Sequence, residues 1–237
     1  MVRAAWNDTE TKALSKLAMP KADTTDLSHN LLGQRLGRKG RGTRERILAA
    51  TETLLADPKT PLSLSAVARE ASLAMTTLYL YFGDLTELLL AVLDPIMASA
   101  EESYLGEMRE RWSDAALGES CLRFVKDVHA FWQRHARALH LRNNYSAGDP
   151  RMIQHRVASA RPLINLMIFQ MDGDPSMRAT ILTGMATALV TGIERVVTVT
   201  TDTEFVDIVD QPAPNVPALL LGQARLLELG IRDQRGA

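Results

Sequence analysis

Between Arg35 and Arg46 the chain carries Arg35, Arg38, Lys39, Arg41, Arg44 and Arg46 against a single acid, Glu45, with Gly37, Gly40 and Gly42 interleaved and Gly33 just ahead. A glycine-rich basic stretch has little reason to fold alone and can follow a polyanion closely. A solvated tail has the same composition, so the stretch does not decide by itself. Other chemistry is poorly provided for. The lone Cys121 excludes an internal disulfide and a zinc site of two or more thiolates. His129, His135 and His140 lack the i, i+4 spacing of a helical ligand pair, and no carboxylate completes a set, so no metal is expected. No Gly-x-Ser-x-Gly elbow, Gly-x-Gly-x-x-Gly turn or Gly-Lys-Ser/Thr phosphate loop occurs. An enzyme is therefore not expected, nor a cofactor.

The charge is divided along the 237 residues. Residues 1–81 hold 12 Lys+Arg and 8 Asp+Glu, a net of +4, and residues 82–237 hold 15 and 20, a net of −5. There is no apolar run of spanning length and no basic-then-apolar opening, so the expectation is a cytoplasmic protein with no membrane partner.

The elements that must position these residues read as helices. Apolar spacing predicts helices over 43–56, 63–71 and 75–82, then about 85–112, 117–141, 150–171, 174–199 and 217–229. Thr9 to Met19 is a further short candidate. Asp57-Pro58 ends the first main helix. Ser63 and Asp84 are placed as N-caps, and Asp149-Pro150 and Asp174-Pro175 as helix starts. A bend is expected at Pro162, and Gly230 stands where a C-cap glycine would. The β-branched run Val196 to Thr200 keeps the helical period from Ile193. With no convincing strand, the chain is expected to be all-α with about nine helices. The domains expected are a basic, partly disordered extension (1–42), a three-helix unit (43–83) and a larger helical region (84–237).

The stretch Ser63 to Phe82 has the layout of a helix-turn-helix. Two helices that cross closely need a small residue, and Ala68 supplies it. Ser72-Leu73-Ala74 provides the tight turn, and Val67, Leu73 and Leu78 are spaced as buried anchors. The outer N-terminal face of the second helix must be polar to meet base edges, where Met75, Thr76, Thr77 and Tyr79 are available.

On these residues the stretch Thr43 to Leu89 resembles the DNA-binding domain of TetR-type transcriptional regulators. The matching segments are Arg44-Glu45-Arg46-Ile47-Leu48-Ala49-Ala50, Leu64-Ser65-Ala66-Val67-Ala68, Thr77-Leu78-Tyr79-Leu80-Tyr81-Phe82 and Glu87-Leu88-Leu89. The resemblance implies that Thr76, Thr77 and Tyr81 face the major groove, with an inward-packed Tyr81 as the alternative. It implies that Tyr79 and the helix start at Ser63 meet phosphates, and that Arg44 lies near the backbone. Arg38, Lys39 and Arg41 would reach the minor groove or phosphates as an arm. The sequence departs from the family pattern at Ser72 (usually glycine), Ala74 (usually serine) and Leu85 (usually lysine). A positive φ at Ser72 would cost roughly 1 kcal/mol.

The larger half is implied to sense a ligand and dimerise. Aromatics and methionines there suit an apolar cavity, although plain packing uses the same residues. Arg123, His129, Trp132 and His135 are the polar or amphipathic residues nearest the apolar stripe of their helix, and are the candidate effector contacts. The last two helices carry leucines and small residues suited to a two-fold interface. The sequence thus reads as a homodimeric regulator of a near-palindromic double-stranded DNA operator, a repressor released by a hydrophobic small molecule. The alternative is an all-α enzyme or carrier of an apolar ligand with a structural N-terminal unit.

Overall fold

The computed structural model describes residues 37–57, 60–145, 148–173, 181–202 and 215–236. The extension before Gly37, the Asp174-Pro175 start and most of the expected loop before Pro217 lie outside them. The described residues form nine α-helices and no strand. They are α1 (Arg38–Ala56), α2 (Leu64–Glu70), α3 (Met75–Leu78), α4 (Leu85–Ala98), α5 (Leu117–Arg134), α6 (Ala136–Tyr145), α7 (Pro150–Gln170), α8 (Ile181–Thr201) and α9 (Val216–Arg235). They divide into two compact units. One takes residues 37–99 and 135–157, and the other residues 100–134 and 158–236.

In the first unit α1 buries Ile47, Ala50, Thr51 and Leu54, one face at i, i+3, i+4 and i+7. The buried Thr51 hydroxyl donates to the Ile47 carbonyl at 2.8 Å, so it costs the core no unpaired group. Val67, Leu78, Phe82 and Leu88 close on that face, and Leu85 packs at its edge. Each large apolar side chain buried here contributes about 1.5–3 kcal/mol, and truncating the fully buried Leu78 to alanine would cost about 2–5 kcal/mol.

Helix α1 starts five residues before the expected Thr43. The Arg41 amide donates to the Gly37 carbonyl at 3.0 Å, and the Thr43 hydroxyl to the Lys39 carbonyl at 3.1 Å. Thr43 is thus inside the helix, not at its cap. Arg and Lys are good helix formers, so the main propensity cost of this segment is the roughly 1 kcal/mol for each of Gly40 and Gly42. Arg38, Lys39 and Arg41 therefore stand on a helix rather than on a loose arm.

Other boundaries differ for local reasons. The helix expected over 75–82 is one α-turn continued by turn bonds, Tyr81 to Leu78 at 2.9 Å and Phe82 to Leu78 at 3.1 Å. Pro95 lies inside α4 without ending it. Past Ser99 the chain makes a wide π-turn over Glu101–Leu105 and a tight 3-10 turn over Gly106–Arg109. A side chain at Gly106 would stand 3.0 Å from the Glu101 carbonyl, so any larger residue here would push this turn open by a few tenths of an ångström. The expected 117–141 helix breaks at His135. Helix α7 runs through Pro162 uninterrupted.

In the second unit α5 buries Leu117, Cys121, Phe124, Val125, Val128, Phe131 and Trp132. Tyr104 meets Phe131 edge-on at 5.3 Å, and Trp112 lies 5.8 Å from Phe124. Burial, with Glu228 adding to it, pushes the Cys121 thiol up to about 12, which leaves it inert. Helix α9 packs on α5 and α8. Gly230 does not end it: α9 continues to Arg235, and Gly236 is the C-cap. A side chain at Gly230 would stand 2.9 Å from Leu189, so this glycine serves the close approach of α8 and α9. The run Val196 to Thr200 is helical, with the Thr198 and Thr200 hydroxyls bonded back to the Glu194 and Val196 carbonyls.

Candidate nucleic-acid interface

Helix α2 begins as its sequence requires. The Ser63 hydroxyl accepts from the Ala66 amide at 3.2 Å, which satisfies one of the donors a helix start leaves open. Its other end is set by Ser72, which stands at φ 53°. The Ser72 amide donates to the Arg69 carbonyl at 3.1 Å and the Leu73 amide to the Ala68 carbonyl at 2.8 Å. This is the Schellman pairing, closed by a left-handed residue. Serine thus fills a glycine conformation, as expected. Leu73 then turns back to the core beside the buried Val67, Ala68 and Ala71.

Helix α3 starts at Ala74, which offers no side-chain cap. Its carbonyl accepts the Thr77 and Leu78 amides at 3.0 and 3.1 Å. Leu78 is the fully buried anchor on the opposite face. The outer face therefore presents Thr76, exposed, Thr77, half-buried, and Tyr79, 49% exposed. Tyr81 is half-buried and packs against the core cluster, which favours its inward alternative. Leu80 is exposed beside Tyr79. The sequence pattern singled out no role for it, and its phase opposite Leu78 was the available signal.

Ahead of this pair, Arg38, Lys39, Arg41 and Arg46 are exposed along α1. Arg44 differs from them. Its guanidinium lies 5.3 Å from the Phe82 ring centroid, a cation–π contact inside the unit. Helix α4 then opens on a reciprocal cap: the Glu87 amide donates to Asp84 Oδ1 at 2.8 Å, and Glu87 Oε2 accepts the Gly83 amide at 2.8 Å.

Two arginines that sequence spacing did not reveal hold this unit. The Arg137 guanidinium, on α6, donates to the carbonyls of Leu54, Asp57 and Thr60. Arg151, in the first turn of α7, donates to Asp84 Oδ2 at 2.8 Å and Asp149 Oδ2 at 2.7 Å. Burial alone would raise the Asp84 carboxyl, but the hydrogen bonds from Arg151 and the Glu87 amide hold it below its ordinary value. Asp149 is also held low, by the Arg151 side chain and amide and by the Thr86 hydroxyl. Partners so far apart in sequence leave no periodic trace.

The four candidate effector contacts are divided between the two units. His129 and Trp132 are buried on α5 in the second unit. His129 Nε2 has no hydrogen-bond partner, and burial lowers its pKa, so the ring is neutral at pH 7. Arg123 points outward on the same helix and pairs with Glu107 at 2.9 Å. His135 lies at the helix break and belongs to the first unit. Among the described residues no cluster of His, Cys, Asp and Glu is arranged to hold a metal.

No family model and no curated protein matches the chain. Solved structures do. A TetR-like transcriptional regulator from Rhodococcus sp. RHA1 aligns with a TM-score of 0.56 and 21% identity, over 84% of this chain and 99% of that one. A protein from Streptomyces coelicolor A3(2), described as a transcriptional regulator, aligns with a TM-score of 0.53 and 20% identity, over 78% of this chain and 98% of that one. At such identity the likeness establishes the fold, which this all-α chain shares with TetR-like regulators.

Proposed function

We propose that the chain is a homodimeric, sequence-specific DNA-binding regulator that represses from a near-palindromic operator. The observation that carries this reading is the α2–α3 pair itself. A one-turn recognition helix is anchored by Leu78 and turns Thr76 and Tyr79 outward, with exposed Arg38, Lys39, Arg41 and Arg46 on the helix before it. Thr76 and Thr77 are assigned to base edges, and Tyr79 and Ser63 to phosphates. The exposed α1 cations follow the backbone as a rail. Arg44 supports the unit through Phe82 and Tyr81 through the core, so both enter the DNA set only indirectly.

Dimerisation is supported by the outer faces of α8 and α9. Leu219, Gly222, Leu226 and Leu229 recur at i, i+3, i+7 and i+10 on the exposed face of α9. Ile181, Gly184 and Ala188 do so on α8, and Ile181 is 84% exposed. Helix α8 is long and apolar enough to cross a membrane by composition alone. It packs on α5 and α9, and its uncovered side is the small-residue face that a second copy fits. Two copies would bring two α3 helices to successive major grooves, about 34 Å apart.

A hydrophobic effector is assigned to the second unit beside His129 and Trp132. It would release the operator by binding the DNA-free state better, by a few kcal/mol. The experiment is selection of genomic DNA fragments by the purified protein, followed by titration at several salt concentrations. One recovered palindrome, bound by a dimer and lost on Thr76→Ala or Tyr79→Ala, is expected. Weak binding without sequence preference overturns the reading and leaves an apolar-ligand carrier.

A further inference from the structure

We infer that Arg137 and Arg151 are positioning residues that hold the helix-turn-helix from its two ends. The inference rests on the DNA-binding reading. The α2–α3 pair has two covalent connections to the rest of its unit. It is entered through residues 57–63, between α1 and the Ser63 cap. It is left through residues 79–84, between α3 and the Asp84 cap of α4. Each connection is gripped by one arginine, and both arginines come from the later segment 135–157.

At the entry, Arg137 meets the carbonyl end of α1. The Leu54 carbonyl is one of the last four of that helix, which have no partner within it. A cation there also meets the negative end of the helix dipole. The same guanidinium reaches the carbonyls of Asp57 and Thr60, so one rigid planar group ties the helix end to both of these residues. Thr60 and Asp57 are also joined directly, Thr60 Oγ1 donating to Asp57 Oδ2 at 2.6 Å. Pro61 and Leu62 then lead to Ser63, and Leu62 packs on the core.

At the exit, the Asp84 carboxylate is divided between two tasks. Oδ1 caps α4 through the Glu87 amide, and Oδ2 receives Arg151 at 2.8 Å. Arg151 is itself seated by Asp149, through Oδ1 at 3.2 Å and Oδ2 at 2.7 Å. The cap that starts α4 is thereby tied to the first turn of α7. Neither arginine lies on α2 or α3. They act by fixing where that pair starts and stops, and base readout depends on placement to a fraction of an ångström.

The test compares wild type with Arg137→Met, Arg137→Lys and Arg151→Met on the selected operator and on a scrambled duplex. The expected result is a loss of about tenfold or more in operator affinity, the size of a lost base contact. Scrambled-duplex affinity and salt slope should stay as in wild type, because both guanidiniums are engaged by carbonyls or carboxylates of the protein itself. Arg137→Lys should lie between, since it keeps the charge but not the planar donor set. Amide exchange over residues 73–82 in the free protein should be faster in both Met variants. Operator affinity within twofold of wild type, or an equal loss on both duplexes with a shallower slope, overturns the inference. Unchanged exchange also overturns it. If wild type shows no sequence preference, the regulator reading falls, and the exchange measurement still decides the clamp. If Arg137→Met does not fold, Arg137→Lys and Arg151→Met carry the same comparison.

Discussion

The Arg44 guanidinium sits 5.3 Å from the centre of the Phe82 ring, which joins the middle of α1 to the residue that closes the turn after α3. Glu87 and Asp94 also draw on this cation. Its neighbours Lys39, Arg41 and Arg46 are exposed. Arg44→Ala should therefore cost about 0.5–1 kcal/mol of stability, read by urea unfolding. Its effect on the salt slope of operator binding should be small. Lys39→Ala should do the reverse, leaving unfolding unchanged and reducing the slope by about 1.

Ser72 holds a left-handed conformation at the surface. Ser72→Gly removes that strain and adds chain entropy to the unfolded state. The net expectation is a gain of up to about 1 kcal/mol, seen as a higher Tm, while Ser72→Val lowers it.

The two helices of the helix-turn-helix pair differ in their caps. Ser63 supplies a side-chain oxygen and Ala74 does not. Ser63→Ala should lose about 1 kcal/mol, and Ala74→Ser should gain a similar amount. Paired thermal melts of the two variants check both signs in one experiment.

Leu226 is 57% exposed on the outer face of α9 and Leu221 is 59% exposed. Leu226→Glu places a charge where a second copy would pack. Sedimentation should show a dimer for wild type and a monomer for the variant, with the helical circular dichroism of the subunit retained.

Burial lowers the His129 pKa from its ordinary 6.5. The folded state thus disfavours the proton that the unfolded chain accepts. Stability is therefore complete above pH 6.5 and falls as the pH drops through the lowered folded value. His129→Leu should remove this acid-side loss, measured as Tm against pH from neutral to mildly acidic. Asp84 and Asp149 are also held below their ordinary 3.8, so their contribution persists to lower pH and is lost only as pH falls below that value.

Most of the local structure was legible in the residues. Ser63, Asp84 and Asp149-Pro150 start helices because their side chains, or the missing N–H of proline, suit the open donors of a first turn. Val67, Ala68 and Leu78 are buried because their spacing leaves no other face for a core. The turn at Ser72 was visible because a close helix crossing leaves room for little else. Local sequence sets such features, since each depends on neighbours within one or two helical turns.

Only the tertiary structure decided the rest. Gly230 reads as a helix end, but Leu189 on another helix makes it a point of close approach. Arg44 reads as one more cation of a basic stretch until Phe82, 38 positions later, turns it inward. The Arg137 and Arg151 clamps join residues 67 to 83 positions apart, and no period in the chain encodes such a distance. A hydrogen bond between remote residues exists only once the core has brought their backbones together. The sequence determined which elements form and which faces they bury, and packing determined which charged groups stay exposed.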